Sequence, residues 1–256
     1  MSISTGVKIG KITQLEITVD CYRPMMAMLS ETELFTEGRF SYHVLTPAHK
    51  DEAHAVLARA FCSEPTSASL GKPTQHMDWF EFIGLWMDHC SSNGLGVVAL
   101  DKDNCRVAGA FTTRDLLTNL PEFEEMYKDE SKALAPVVDL CFQLDAEAMK
   151  KMPELKGELG NAADLWCLGV HPDYRGNKIA NYLTKGVLSL IKKSGFKYAT
   201  IEASSAFTAK AAIWNNFTLL HSIESNDYLW KGERVFNVQP PHGTWKFWVK
   251  NVQLES

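Results

Sequence analysis

Apolar and polar positions along this chain switch between a period of two and a period near 3.6, and the order of the switches outlines an α/β protein. From Arg39 the run Phe-Ser-Tyr-His-Val-Leu-Thr alternates as a half-buried strand does, and Thr46-Pro47 then offers an N-cap and a first-turn proline for a helix through residue 60. Residues 73–90 place Met77, Phe80, Ile83, Leu85 and Met87 at mixed helical spacing, and Asn93-Gly94 closes that helix. Residues 96–100 and 107–113, joined by Asp101-Lys-Asp-Asn104, predict an antiparallel hairpin. Two helical patterns follow, one after Pro121 and one over residues 136–152, where Val137, Leu140, Cys141, Leu144 and Ala148 share a face.

Residues 165–170 are apolar with few breaks, the signature of a strand buried on both faces. A helix follows, with Ala180, Leu183, Val187, Leu188 and Ile191 in period, and Ser194-Gly195 ends it before a strand over residues 198–203. Strand, helix, strand within about 40 residues is a βαβ crossover, which requires parallel pairing. A helix over residues 207–215, an alternating stretch from Phe217 and a last strand over residues 244–250 complete the pattern. Residues 1–36 stand apart as an extension, with an alternating stretch over residues 12–19 and a Met-rich stretch after Pro24. The expected organisation is that extension, then one domain over residues 37–256 with a helical insertion at about 114–162.

Composition narrows the field. With 45% hydrophobic and 22% charged residues and no apolar run near the roughly 18 residues a bilayer demands, the chain is expected to be soluble and to have no membrane partner. Its start lacks the features of a secretory signal, so a cytoplasmic address is expected. The six cysteines include no CxxC pair and are expected to be reduced. A net charge of −5 argues against a nucleic acid partner. The eight histidines include no spacing that compels a metal site, and His49 and His54 near Asp51 read as a solvated helix face.

The chemistry concentrates in Val170-His-Pro-Asp-Tyr-Arg-Gly-Asn-Lys-Ile-Ala180, between the buried strand and its helix. Gly176 lets backbone approach a ligand, and the N–H groups that open the helix have no acceptors within it. Such a terminus suits phosphate, and Arg175 and Lys178 add positive charge beside it. The same residues also suit an ordinary βα loop with a solvated basic rim.

This run resembles the signature of the GNAT superfamily of N-acetyltransferases, Val-x-Pro-x-Tyr-Arg-Gly-x-Gly-Ile-Ala, with Arg175, Ile179 and Ala180 in register and Lys178 where the signature has glycine. The order of elements after Arg39 is also similar. The resemblance implies a single GNAT-like domain with a mixed, mostly antiparallel central sheet, splayed at the cofactor site and flanked by helices. It implies acetyl-CoA or another acyl-CoA as cosubstrate, no metal, and a site made by Leu168, Val170, Arg175, Gly176, Asn177, Lys178, Ile179 and Ala180.

Two further segments are similar to insect-type arylalkylamine N-acetyltransferases. Phe61-Cys-Ser-Glu-Pro65 matches their Phe-x-x-Glu-Pro element and gives Glu64 the role of general base. The stretch Glu202-Ala-Ser-Ser-Ala-Phe-Thr-Ala-Lys210 is similar to their Ser-Ser-x-x-Ser-Ala-Arg stretch, which implies active-site hydroxyls at Ser204 and Thr208 and puts Lys210 in the arginine position. Ser204 or Ser205 also suits the cap of the helix that follows. Counting back from Phe217 puts Ala212 where many GNAT enzymes carry a tyrosine acid. Trp79, Phe80, Phe82 and Trp86 suit either an apolar acceptor slot or plain core, and Glu122, Glu124 and Glu125 either attract a cation or form a solvated face. The implied activity is transfer of an acetyl group to a small primary amine, arylalkylamine-like, by direct attack in a ternary complex. The alternatives are a weak or inactive CoA-binding or regulatory protein, or an acetyltransferase for polyamines or protein amines. Monomer and homodimer are both compatible with the sequence.

Overall fold

In the computed structural model the described residues are 32–70, 75–118, 120–121, 128 and 131–254. The extension's alternating and Met-rich stretches, the helical pattern after Pro121 and the glutamates at 122, 124 and 125 lie outside them. The compact unit Glu33–Ser256 is built on an eight-stranded sheet. Its strands are β1 (Glu33–Glu37), β2 (Phe40–Val44), β3 (Gly96–Asp101), β4 (Val107–Asp115), β5 (Ala162–Val170), β6 (Tyr198–Ala203), β7 (Thr218–Glu224) and β10 (Thr244–Asn251), in the spatial order β1-β2-β3-β4-β5-β6-β10-β7. Two short strands, β8 (Leu229–Trp230) and β9 (Glu233–Arg234), pair separately. Every pairing in the main sheet is antiparallel except β5 with β6. The sheet thus begins at Glu33, inside the stretch read as an extension.

Helices cover both faces. They are α1 (Lys50–Cys62), the single turn α2 (Pro65–Ala68), α3 (His76–Ser92), α4 (Ala135–Lys151), α5 (Ile179–Lys193) and α6 (Ala206–Trp214). Side chains on paired antiparallel residues point the same way. A Cβ added to Gly109 would meet Ile179 and Leu183 of α5 at 3.1 Å, whereas one on Gly169, paired with Ala110, would lie 2.9 Å from Ala60 of α1. Helices α1 and α5 therefore grip opposite faces of β4 and β5, and glycine is what lets α1 come so close. On α5 the buried stripe is Ile179, Leu183, Val187 and Ile191, a strict i, i+4 series facing the core.

Two local readings change. Helix α1 starts at Lys50, after a 3-10 turn over Pro47–His49, and Thr46 bonds the His49 ring at 3.2 Å instead of capping a backbone N–H. Strand β5 begins at Ala162, not at residue 165, because Asp164 is only 1% exposed and is neutralised inside the sheet by Arg114 at 2.8 Å. A carboxylate reads as a break in an apolar run, and its partner 50 residues earlier is invisible in local sequence. Among the described residues no helix is long and apolar enough to cross a membrane.

Candidate active site

Strand β5 leaves its neighbour halfway along. Among the described residues the parallel ladder runs only through Ala162↔Tyr198, Ala163↔Ala199 and Asp164↔Thr200, after which β6 stays with β10 while β5 follows β4 to Val170. Leu168 and Val170 therefore sit on a strand whose β6-facing backbone edge is open, able to hydrogen-bond a ligand lying in the gap. A bulge strengthens the divergence: Cys167 opposes Thr112 and Leu165 opposes Thr113, so Trp166 is an extra residue. Trp166 packs on Phe82 and Trp86 of α3, with ring centroids 5.1 and 5.5 Å away.

At the end of β5 the chain makes a 3-10 turn over Pro172–Tyr174 and enters α5 at Ile179. Tyr174 ties the loop down, donating to Asp101 at 3.1 Å. Asp101 is fully buried, and hydrogen bonds from Arg39 hold its carboxyl down at about 2. Gly176 has φ +84° and Lys178 φ +58°, so both residues occupy the left-handed region that favours glycine. Lys178 is the N-cap residue of α5 and makes no side-chain cap. The glycine of the signature is thus a backbone requirement that Lys178 meets at a cost of about 1 kcal/mol. Arg175, Gly176, Asn177 and Lys178 are exposed, and Ile179 and Ala180 form the first turn of α5. Arg59 of α1, which sequence reasoning missed, brings a third cationic side chain to within 3.5 Å of His171 Nε2 in this loop. Open strand edge, helix N-terminus and basic rim fit an acyl-CoA, its pantetheine arm on β5 and its phosphates at the loop. Lys210 is exposed on α6, and among the described residues no hydrogen bond or ion pair joins it to the loop.

The proposed base lies on the other side of the splay. Glu64 is the N-cap of α2 and accepts the backbone N–H groups of Thr66 (2.8 Å) and Ser67 (3.1 Å). Ser204, just past the end of β6, donates its hydroxyl to Glu64 Oε1 at 3.3 Å, and Thr66 Oγ1 donates to the Ser204 carbonyl at 2.9 Å. Burial pushes the Glu64 carboxyl up to about 7, outweighing the hydrogen bonds, which act in the opposite direction. Arg175 donates to Ser63 at 3.1 Å, so the cofactor loop is fastened to the residue before Glu64.

The two serines divide the roles that the sequence left open. Ser205 caps α6, accepting from the Thr208 N–H at 3.4 Å, which leaves Ser204 to Glu64. Thr208 Oγ1 lies 3.4 Å from Ser205 Oγ, so Thr208 is drawn to the cap and not to Glu64. His242, also unanticipated, accepts from the Ala206 N–H at 3.2 Å and packs on Phe207. Ala212 is fully buried in the core and carries no proton donor.

Glu64 and Ser204 line a cavity of about 60 Å³ with Phe61, Trp79, Phe82, Val137, Cys141, Trp166 and Trp245 among its walls. Of the expected slot residues, Trp79 and Phe82 reach this cavity. Trp86 is fully buried under the Arg114 guanidinium, 4.7 Å from its ring, and Phe80 stacks on His54 at 3.7 Å. His54 Nε2 lies 2.7 Å from the Phe80 carbonyl oxygen. The His49 and His54 rings are thus held by Thr46 and Phe80.

The mostly antiparallel sheet, splayed beside a cationic loop at a helix N-terminus, is a fold this chain shares with solved acetyltransferase structures. No protein-family model matches the chain, and no curated protein sequence matches it. Solved structures do. A mosquito arylalkylamine N-acetyltransferase-like 5b protein superposes with TM-score 0.70 at 24% identity, covering 83% of this chain and 99% of its own. The Drosophila melanogaster polyamine N-acetyltransferase that forms N-acetylagmatine gives TM-score 0.68 at 19% identity, over 83% of this chain and 99% of its own. YncA, a Salmonella typhimurium protein described as an acetyltransferase and solved with acetyl-CoA, gives 0.51 at 9% identity, over 86% and 97%.

Proposed function

We propose that the protein is an acyl-CoA-dependent N-acyltransferase that moves an acetyl group from acetyl-CoA to a small primary amine by direct attack in a ternary complex. The observation behind this reading is a carboxyl held at about 7, Glu64, hydrogen-bonded to Ser204 in an aromatic-lined cavity beside the open edge of β5. Acetyl-CoA supplies the activated acyl thioester. The chain's own groups supply the rest.

Leu168 and Val170 offer backbone partners along β5, and Arg175, Gly176, Asn177, Lys178 and the opening turn of α5 at Ile179 and Ala180 receive the phosphates. Lys210 extends this positive rim along α6. The amine enters the aromatic cavity, where desolvation favours its neutral form. Glu64, tuned close to neutral pH, takes the proton that the amine must lose, and Ser204 holds the carboxyl in place or relays the proton. Thr208 supplies a hydroxyl in the first turn of α6 for the leaving side. The acetyltransferase structures similar to this chain act on arylalkylamines and on polyamines, and both acceptor classes are compatible with an amine entering beside Glu64.

Free-thiol release from acetyl-CoA across an amine panel, alongside calorimetric binding of CoA, tests the reading. Amine-dependent thiol release is expected. The buried Ala212, in the place of the usual tyrosine acid, favours a second reading: a CoA-binding protein without turnover. Tight CoA binding with no thiol release from any amine would establish that second reading, and failure to bind CoA would remove both.

A further inference from the structure

We propose that Asp101, at the end of β3, is a positioning residue for the cofactor loop: it acts through the Tyr174 hydroxyl and sets how tightly the phosphates of CoA are held. The inference rests on the acyltransferase reading and adds to that site a residue outside the loop itself.

Three segments far apart in the chain meet at Asp101. Its carboxylate is fully buried and accepts Arg39 Nε at 2.6 Å, Arg39 Nη2, the Asp103 N–H at 3.2 Å and the Tyr174 hydroxyl at 3.1 Å. Donors converging on one ionised group make strong, directional bonds that fix it in place. The backbone of Asp101 also closes the β3–β4 turn, its carbonyl accepting the Cys105 N–H at 2.7 Å. That turn supplies a second bond to the loop: Asn104 donates to the Tyr174 hydroxyl at 3.2 Å, so the hydroxyl takes one bond and gives one. The Tyr174 ring meets Phe40 edge-on, with centroids 5.9 Å apart, and the Arg39 guanidinium lies 5.8 Å from its centre. Tyr174 thus sits in a socket made by Arg39, Phe40 and the β3–β4 turn.

What the socket fixes is the lead into the loop. Arg175 follows Tyr174 directly, and the Asn177 side chain donates to the carbonyls of both, at 3.0 and 3.4 Å. A chain held at Tyr174 therefore sets where Arg175 and the N–H groups up to the first turn of α5 point. Charge and position make opposite forecasts for Asp101. As an anion near an anion-binding loop it repels phosphate, so neutralising it should tighten CoA binding if charge alone counts. As the anchor of Tyr174 it orders the loop, so the same change should weaken CoA binding. The geometry favours the anchor: the Arg39 guanidinium is paired with the Asp101 charge, while the Tyr174 hydroxyl makes both its bonds inside the socket.

The test uses Asp101→Asn and Tyr174→Phe with two acetyl donors, acetyl-CoA and S-acetylpantetheine, which keeps the thioester arm and has no phosphate. Calorimetry is expected to show CoA binding about tenfold weaker in each variant. For acetyl-CoA, kcat/KM is expected to fall by the same factor through KM, while kcat, and kcat/KM for S-acetylpantetheine, stay within about twofold of the wild type. A variant that is merely destabilised loses both donors alike, so the ratio between donors reads positioning. Unchanged or tighter CoA binding in Asp101→Asn, or an equal loss with both donors, overturns the proposal. If CoA binds and no amine is acetylated, the acyltransferase reading fails on its own, and calorimetry with amide hydrogen exchange still decides the anchor. Weaker CoA binding in both variants, with faster exchange confined to residues 174–178, upholds it. Equal affinity, or faster exchange throughout β3 as well, ends it, and a wild type that binds no CoA ends both.

Discussion

At the scale of single residues, the site works against stability. Glu64 has an ordinary value of 4.5 and is raised to about 7 by burial. The folded state thus holds its proton longer than the unfolded chain does. Its contribution to stability is intact below 4.5, declines as pH rises between 4.5 and 7, and is a constant cost above 7. Glu64→Gln, neutral throughout, is expected to be more stable than the wild type at pH 8 by about 1–2 kcal/mol, discounted for partial exposure. The two should melt alike near pH 4, a comparison that thermal denaturation at the two pH values makes directly. The same variant is expected to lose turnover by about 10²-fold. Its kcat/KM should also lack the limb that the wild type shows as Glu64 ionises near pH 7.

Lys178 makes a second residue-scale test, since its φ of +58° suits glycine better than lysine. Lys178→Gly is expected to raise stability by about 1 kcal/mol and to keep CoA affinity, whereas Lys178→Glu weakens CoA binding about 2–5-fold by placing an anion at the N-terminus of α5. Denaturation for the first and calorimetry for the second settle both. Little of this was legible beforehand. The Arg-Gly-x-Lys run marked the loop, but neither the left-handed backbone at 178 nor the bond from Arg175 to Ser63 can be read from residue identity.

At the scale of elements, the geometry that matters is where β5 goes. Its parallel register with β6 stops at Asp164↔Thr200, and α1 presses on its far half at Gly169. A methyl group at Gly169 would sit 2.9 Å from the Ala60 Cβ and 3.0 Å from Leu57, pushing α1 away from the strand. Gly169→Ala is therefore expected to cost about 1–3 kcal/mol and to weaken CoA binding as well, because Leu168 and Val170 flank it. A denaturant midpoint and a CoA isotherm on one preparation check the pair of effects. Pattern alone identified β5, α5 and β6 and their parallel crossover. It missed the bulge at Trp166 and the early start at Ala162, both of which depend on partners far away in sequence.

At the scale of the whole molecule, the unit from Glu33 assembles its candidate site from distant segments: Glu64 after α1, Asp164 on β5, Glu202 on β6 and Ser204 just past its end. A ligand that bridges β5 and the opening of α5 binds only the folded state, so CoA at about 100 times its Kd is expected to add about 2.7 kcal/mol. For a unit of this size that corresponds to a rise in Tm of about 5–10 °C. A thermal shift titration checks it, and a Tm indifferent to CoA would remove the cofactor reading.

The sequence by itself determined the order of the main strands and long helices after Arg39, the parallel crossover, the cationic loop at residues 175–178 and the Glu64-Pro65 turn. These rest on local periodicity, backbone preference and short motifs, all of which act over a few residues. Only the tertiary structure decided that Ser204 faces Glu64 while Ser205 caps α6, and that Trp79 and Phe82 line the cavity while Phe80 and Trp86 do not. It alone set Asp145 beside Glu202. Burial and pairing between residues 50 to 140 positions apart set those outcomes, and a side chain's pKa, partner and exposure belong to the packed interior, not to the position in the chain.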